Sequence, residues 1–213
     1  MNSVITDFNA RVDSVSKMLS HIEEVSSVNG NVDITVILKS SFYIALYNNI
    51  EATIYSILER VHEEIHGCEY KSLTENIKCK FVSYHFGNGE LSLKRKVQLT
   101  ESLSNSSIYF PHLKDYQKVK TVFSGNLDCQ EIRNVFKSYG IRIGRVRGNP
   151  EHLLRVKNKR NKIAHGEQSL SEAGLQVTNR QLKEMHKSVE LSLTDFIGAA
   201  QLFISERQFS HQN

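Results

Sequence analysis

Residues 33–66 are the stretch that most limits the fold. From Ile34 to Tyr55, apolar side chains fall on nearly every side of a helical wheel: Ile37, Leu38, Phe42, Ile44, Ala45, Leu46, Ile50 and Ile54. A helix that is apolar all round must be covered all round. It is therefore expected at the centre, with the other elements packed about it. Asp33 is placed to cap its start. A straight helix of this length spans about 50 Å, so a kink or break could fall within it.

Its partners follow from periodicity. Residues 3–28 repeat apolar positions at Ile5, Phe8, Val12, Val15, Met18/Leu19, Ile22 and Val25, and Asn29-Gly30-Asn31 ends that helix. Leu73, Ile77, Phe81 and Tyr84 give a helix over about 71–86. Asp128 with Glu131 forms a capping-box pattern that opens a helix ending at Gly140. Thr178 with Gln181 repeats the pattern and opens a long last helix through Leu182, Met185, Val189, Leu193, Phe196, Ala200 and Phe203. The stretch 166–177 reads as a loop, and the tail from about 205 as polar and frayed. Residues 87–127 read as an irregular, mobile segment; the Asn88-Gly89 pair also fits a hairpin turn. The expected fold is all-α: an antiparallel helical bundle of four main helices with one or two short extra helices, in a single domain over residues 1–213.

Composition narrows the function classes. A net charge of +4 over 213 residues is compatible with nucleic acid without being diagnostic of it. Cys68, Cys79 and Cys129 are odd in number and widely spaced, so neither a disulfide framework nor a zinc ribbon is expected. The N-terminus lacks a basic region followed by an apolar core, and no run of about 18 apolar residues occurs. A cytoplasmic protein with reduced thiols and no membrane contact is the expectation.

The most distinctive stretch is 149–166. Asn149 can cap a helix, Pro150 fits its first position, and Gly166 fits the left-handed residue past its end. Leu153, Val156, Arg160 and Ile163/Ala164 share one stripe, so Arg160 interrupts an apolar face. Asn161 and His165 are four apart and share a neighbouring face, with Lys162 beside them. The run Arg160-Asn161-x-x-x-His165 resembles the R-x4-6-H motif of the HEPN superfamily (higher eukaryotes and prokaryotes nucleotide-binding domains). Two further stretches are similar to its MAE-like branch: Leu46-Tyr47-Asn48-Asn49-Ile50-Glu51, and Ser124-Gly125-Asn126-Leu127-Asp128 leading to Tyr139-Gly140-Ile141.

The resemblance implies a metal-independent endoribonuclease needing no cofactor. It also implies a homodimer with a composite active site, acting as a toxin or phage-defence effector beside an antitoxin or defence partner. The residue types suit that chemistry. Cleavage by the 2′-hydroxyl needs a base, an acid and a cation at phosphorus. His165 suits proton transfer, and the planar fork of Arg160 suits phosphate oxygens. Asn161 would orient His165 or the phosphate, Lys162 would contact the RNA backbone, and Glu51 would hold Arg160. The 2′,3′-cyclic phosphate is the expected product.

Two other readings compete. A HEPN module could bind RNA, nucleotide or protein without cutting. His62-Glu63-Glu64-Ile65-His66 matches H-E-x-x-H, which on a helix would hold zinc with Glu63 as base. It lacks the usual third-ligand extension, and Glu69 and Glu90 are generic candidates for that role. A solvated helix end is the more economical reading of this run. Lys94-Arg95-Lys96 and Arg142/Arg145/Arg147 could widen an RNA footprint.

Overall fold

The computed structural model describes residues 1–87, 91–104, 108–123 and 125–211. Among them it is all-α. The central helix is α2, Val32–His66, continuous over 35 residues. Its buried positions include Phe42, Tyr43, Leu46, Tyr47, Ile50, Ile54, Ile57, Leu58 and Val61, each fully or almost fully enclosed. Asp33 sits in its first turn. The N-cap is Asn31, without a side-chain bond, so the expected Asp33 cap is displaced by two residues.

Helix α1, Asn2–Ser26, and helix α9, Asn179–Ser205, pack on α2. Cross-links fix their directions. Arg11 donates to Asn49 and Thr53 of α2. Ser16, Glu23 and Ser26 of α1 meet His186, Lys183 and Asn179 of α9. Helix α1 is thus antiparallel to both. Helix α9 then runs the same way as α2, since Lys39 meets Val177 and Phe42 meets His186. The long connection between α2 and α9 makes that possible. Helix α7, Pro150–Ala164, lies against both of them, burying Leu153 and Val156.

The local signals hold where they were clear. Asn149 accepts from the Glu151 amide with Pro150 at the helix start. Asp128 accepts from the Glu131 amide at the start of α6, Cys129–Tyr139. Gly140 and Gly166 have left-handed φ values of +83° and +72°. Thr178 and Gln181 form the reciprocal capping box.

Four expectations change. The segment 87–127 contains α4, Leu93–Ser104, and α5, Leu113–Val119. The Asn88-Gly89 turn lies outside the described residues. The helix expected from residue 71 is a 3-10 turn, Tyr70–Ser72, followed by α3, Glu75–Phe86. The stretch 166–177 contains α8, Leu170–Leu175, opened by a Ser169–Glu172 capping box. There are thus more short helices than the one or two expected. The tail is not frayed through 211: Phe209 is buried, Thr74 N–H donates to Phe209 O at 2.9 Å, and a bridge joins Leu73 to Ser210.

Candidate functional site

The three sequence blocks converge where α7 crosses the middle of α2 and the chain enters α6. Arg160 stands at the centre. Its Cζ lies 4.4 Å from the ring centroid of Tyr47, which is wholly buried beneath it. A guanidinium over an aromatic face is held by the ring quadrupole. Nη1 donates to Gly125 O at 3.5 Å and to Asn161 Oδ1 at 3.0 Å. Nη2 lies 4.0 Å from Glu51 Oε2. The break that Arg160 makes in the apolar stripe of α7 is therefore filled by an aromatic shelf rather than by aliphatic core. Past it the stripe leaves the core: Ile163 is half-buried and Ala164 exposed.

The segment 125–128 forms the wall. Leu127 N–H donates to Tyr47 Oη at 3.1 Å. Asn161 Nδ2 donates to Asn126 Oδ1 at 2.6 Å. Lys157 Nζ pairs with Asp128 Oδ2 at 2.7 Å, both mostly covered. Burial alone would raise the Asp128 carboxyl; the Lys157 ammonium and the Glu131 amide outweigh it and hold it below the usual carboxylate range. Burial pushes the Tyr47 phenol upward, against the Leu127 amide that bonds to it. Tyr47 therefore stays a neutral shelf at neutral pH.

His165 lies elsewhere on the same helix. It is the C-cap residue, exposed, and among the described residues no side chain bonds to its imidazole. A five-residue separation puts it about 140° around the axis from Arg160. The sequence-based expectation is that Asn161 orients His165 or the phosphate; its side chain meets Arg160 and Asn126, not His165. The link between the two is backbone only, His165 N–H to Asn161 O at 2.9 Å. Lys162 is exposed and lines a shallow groove of about 220 Å³ with Arg155, Asn158 and Lys159. Glu51 lies beside Arg160. One chain thus gathers Arg160, Asn161 and Glu51 and leaves His165 and Lys162 facing outward.

In the sequence Tyr47 and Asn126 lie in the family blocks without a role of their own, and Asp128 has one only as a helix cap. Tyr47 and Glu51 are one turn apart on α2, which places them on one face; that signal was available. Lys157 could be found only from the fold.

The H-E-x-x-H run is differently employed. His62 is wholly buried, with Nδ1 2.8 Å from Pro111 O and Nε2 2.8 Å from Tyr139 Oη. Both ring nitrogens are occupied by the protein itself. His66 Nδ1 meets Phe110 O and its ring stacks on His112. Glu63 and Glu64 pair with Arg60. No group of three or more potential metal ligands occurs among the described residues; Glu90 lies outside them. His62 is therefore part of the core, rather than a ligand or the solvated helix end expected. Among the described residues no helix is long and apolar enough to cross a membrane.

No curated protein and no solved structure matches the chain. A family model does, over residues 1–209. With its all-α fold and with Arg160 and His165 on one helix, the chain belongs to the MAE_28990-like HEPN family.

Proposed function

We propose that the protein is a metal-independent endoribonuclease of HEPN type, working in the cytoplasm as a toxin or defence effector. The observation that carries this reading is the division of labour on α7. Arg160 is fixed on Tyr47 with its guanidinium still partly exposed, and His165 stands exposed at the helix end, its imidazole without a partner among the described residues. The first arrangement suits a phosphate clamp and the second a proton carrier.

Their angular separation of about 140° turns the two toward different sides of the helix. A two-fold pairing through this face would set Arg160 of one protomer beside His165 of its partner and supply two imidazoles. One His165 would take the proton of the 2′-hydroxyl. Its oxygen attacks phosphorus, and the second His165 would protonate the departing 5′-oxygen. The products are a 2′,3′-cyclic phosphate and a 5′-hydroxyl, with no atom supplied from outside. Arg160 would carry the charge on the phosphoryl oxygens, with Asn161 and Glu51 holding it in place and Lys162 contacting the flanking backbone.

The test is cleavage of total RNA by purified protein in EDTA, beside His165→Ala. Cutting by wild type alone, leaving cyclic phosphate ends, is expected. RNA binding without cutting would replace this reading by a silent HEPN module. Growth arrest on expression, relieved by Arg160→Ala, tests the toxin role; equal arrest by both would overturn it.

A further inference from the structure

The far end of α6 from Arg160 holds a second concave surface. The start of α3, the end of α6 and the C-terminal residues enclose a groove of about 720 Å³, lined by Asn76, Arg133, Lys137, Arg142 and His211, with Glu75 the one carboxylate. Its walls are fixed by hydrogen bonds. Asn76 Nδ2 donates to Lys137 O at 3.1 Å, and His211 N–H donates to Ser72 O at 2.7 Å. Gly140 turns the chain in the left-handed region, so that Ile141 enters the core while Arg142 stays outside.

The cations of this groove are unspent. Among the described residues none of Arg133, Lys137, Arg142 and His211 has a carboxylate partner, and Arg133 only donates to Gly144 O. Arg147, from the same basic connector, is by contrast locked to Asp195 at 2.7 Å. Thr74 gives α3 no side-chain cap, so the amides of its first turn add partial positive charge at the rim. A charge run on a flat surface is usually solvated. Here two arginines and a lysine share one concavity with an imidazole, and with one acid against them.

We infer that this groove is a phosphate-binding exosite that holds the backbone of a single-stranded RNA whose scissile phosphate lies at Arg160. The inference rests on the RNA reading above. Helix α6 has eleven residues and is about 16 Å long, with the Asp128–Lys157 wall at its start and Lys137 and Arg142 of the groove at and beyond its end. Arg133, midway along α6, extends the groove's lining toward that wall. A strand laid along α6 would meet both.

The test is binding of a fluorescein-labelled oligouridine 12-mer in EDTA, across a salt series, in a His165→Ala background that keeps the probe intact. Lys137→Ala/Arg142→Ala is expected to weaken binding roughly tenfold and to reduce the slope of log K against log salt by about 1.4, since each lost phosphate contact removes about 0.7. Lys17→Ala/Lys187→Ala removes the same charge from exposed sites on α1 and α9 and should stay within twofold. An unchanged slope, or an equal loss in that control, overturns the exosite. So does a loss confined to ATP affinity, which would make the groove a nucleotide site. Cutting by wild type with an unchanged slope retires the groove alone; no RNA binding at all retires the RNA reading with it.

Discussion

Two histidine motifs sit near helix ends in this chain, and they were about equally conspicuous as strings. His62-Glu63-Glu64-Ile65-His66 closes α2, and Arg160-Asn161-Lys162-Ile163-Ala164-His165 closes α7. The first has the stronger chemical pedigree and the poorer site. His62 is sealed among Phe110, Tyr116 and Tyr139, with both nitrogens engaged. His66 and His85 hold the neighbouring carbonyls of Phe110 and Tyr109. Three imidazoles thus secure the consecutive carbonyls 109–111 and dock that strand of chain on the bundle. Among the described residues the His165 imidazole has no hydrogen-bond partner. Reactivity requires a ring nitrogen not engaged by the protein, and access; His62 has neither, and of His66 and His165 the latter is the more exposed.

The comparison is broken most severely by exchanging the losses. His165→Ala should lower RNA cleavage about 10²–10⁴-fold and leave the unfolding free energy within about 0.5 kcal/mol, as for other exposed positions. His62→Ala should do the reverse. It empties part of the core and orphans Pro111 O and Tyr139 Oη, a cost of about 3–5 kcal/mol, while cleavage per folded molecule persists. Thermal unfolding and EDTA cleavage assays on both variants check this. A His62→Ala protein that is stable but inactive, with bound zinc lost from the wild type, would reverse the assignment.

pH sharpens the same contrast at a slightly smaller scale. Burial first, then the nearby Lys80, pulls the His62 imidazole down to about 4, although its bond to Pro111 O favours the charged form. The unfolded chain binds that proton near pH 6.5 and the folded chain only near 4. Stability is therefore full above pH 6.5 and falls by about 3 kcal/mol between 6.5 and 4. Burial lowers His186 and His85 in the same sense, which adds to the slope. Denaturant titrations at pH 7, 5.5 and 4.5 should show it. His62→Gln, which keeps a donor and an acceptor, should flatten most of it; an equally steep profile in that variant would assign the slope to the other two histidines.

What could be read in advance follows the same division between local and distant causes. The central helix announced itself because its apolar residues repeat within a few turns. Asn149-Pro150, Gly140, Gly166 and Thr178–Gln181 mark helix ends with residues adjacent to them. The segment 87–127 hid its helices for the opposite reason. Helix α5 has two buried anchors, Leu113 and Tyr116, too few to make a period. Helix α4 is largely exposed and contains a basic run. The placement of 108–116 depends on imidazoles from α2 and α3, which no window along the sequence connects. Helix α8 depends on Gly174, where an added Cβ would fall 1.9 Å from Val36 O, although its Ser169–Glu172 box was in plain view. The tail is held by buried Phe209 and by backbone bonds to residues 72–74, far away in sequence. At the site, Arg160, Asn161 and Glu51 were found together because each lies in a recognisable block. The shelf and the wall were not, because Tyr47 had no assigned role and Lys157 meets Asp128 only across the fold.

The finest cut falls on Tyr47, which serves Arg160 with its ring and the wall with its hydroxyl. Tyr47→Phe keeps the face under the guanidinium and leaves the buried Leu127 N–H without an acceptor. That costs about 1–2 kcal/mol of stability. Cleavage should fall far less than in His165→Ala, because Lys157–Asp128 and Asn161–Asn126 still pin the segment. Tyr47→Leu removes the shelf as well and should cost clearly more activity than Tyr47→Phe. Equal activity in the two would mean that the ring does nothing for Arg160 and that position is set by Glu51, Asn161 and Gly125 alone. Single-turnover cleavage, normalised to the folded fraction from thermal unfolding, separates the two roles because only the ring touches the residue assigned to the phosphate.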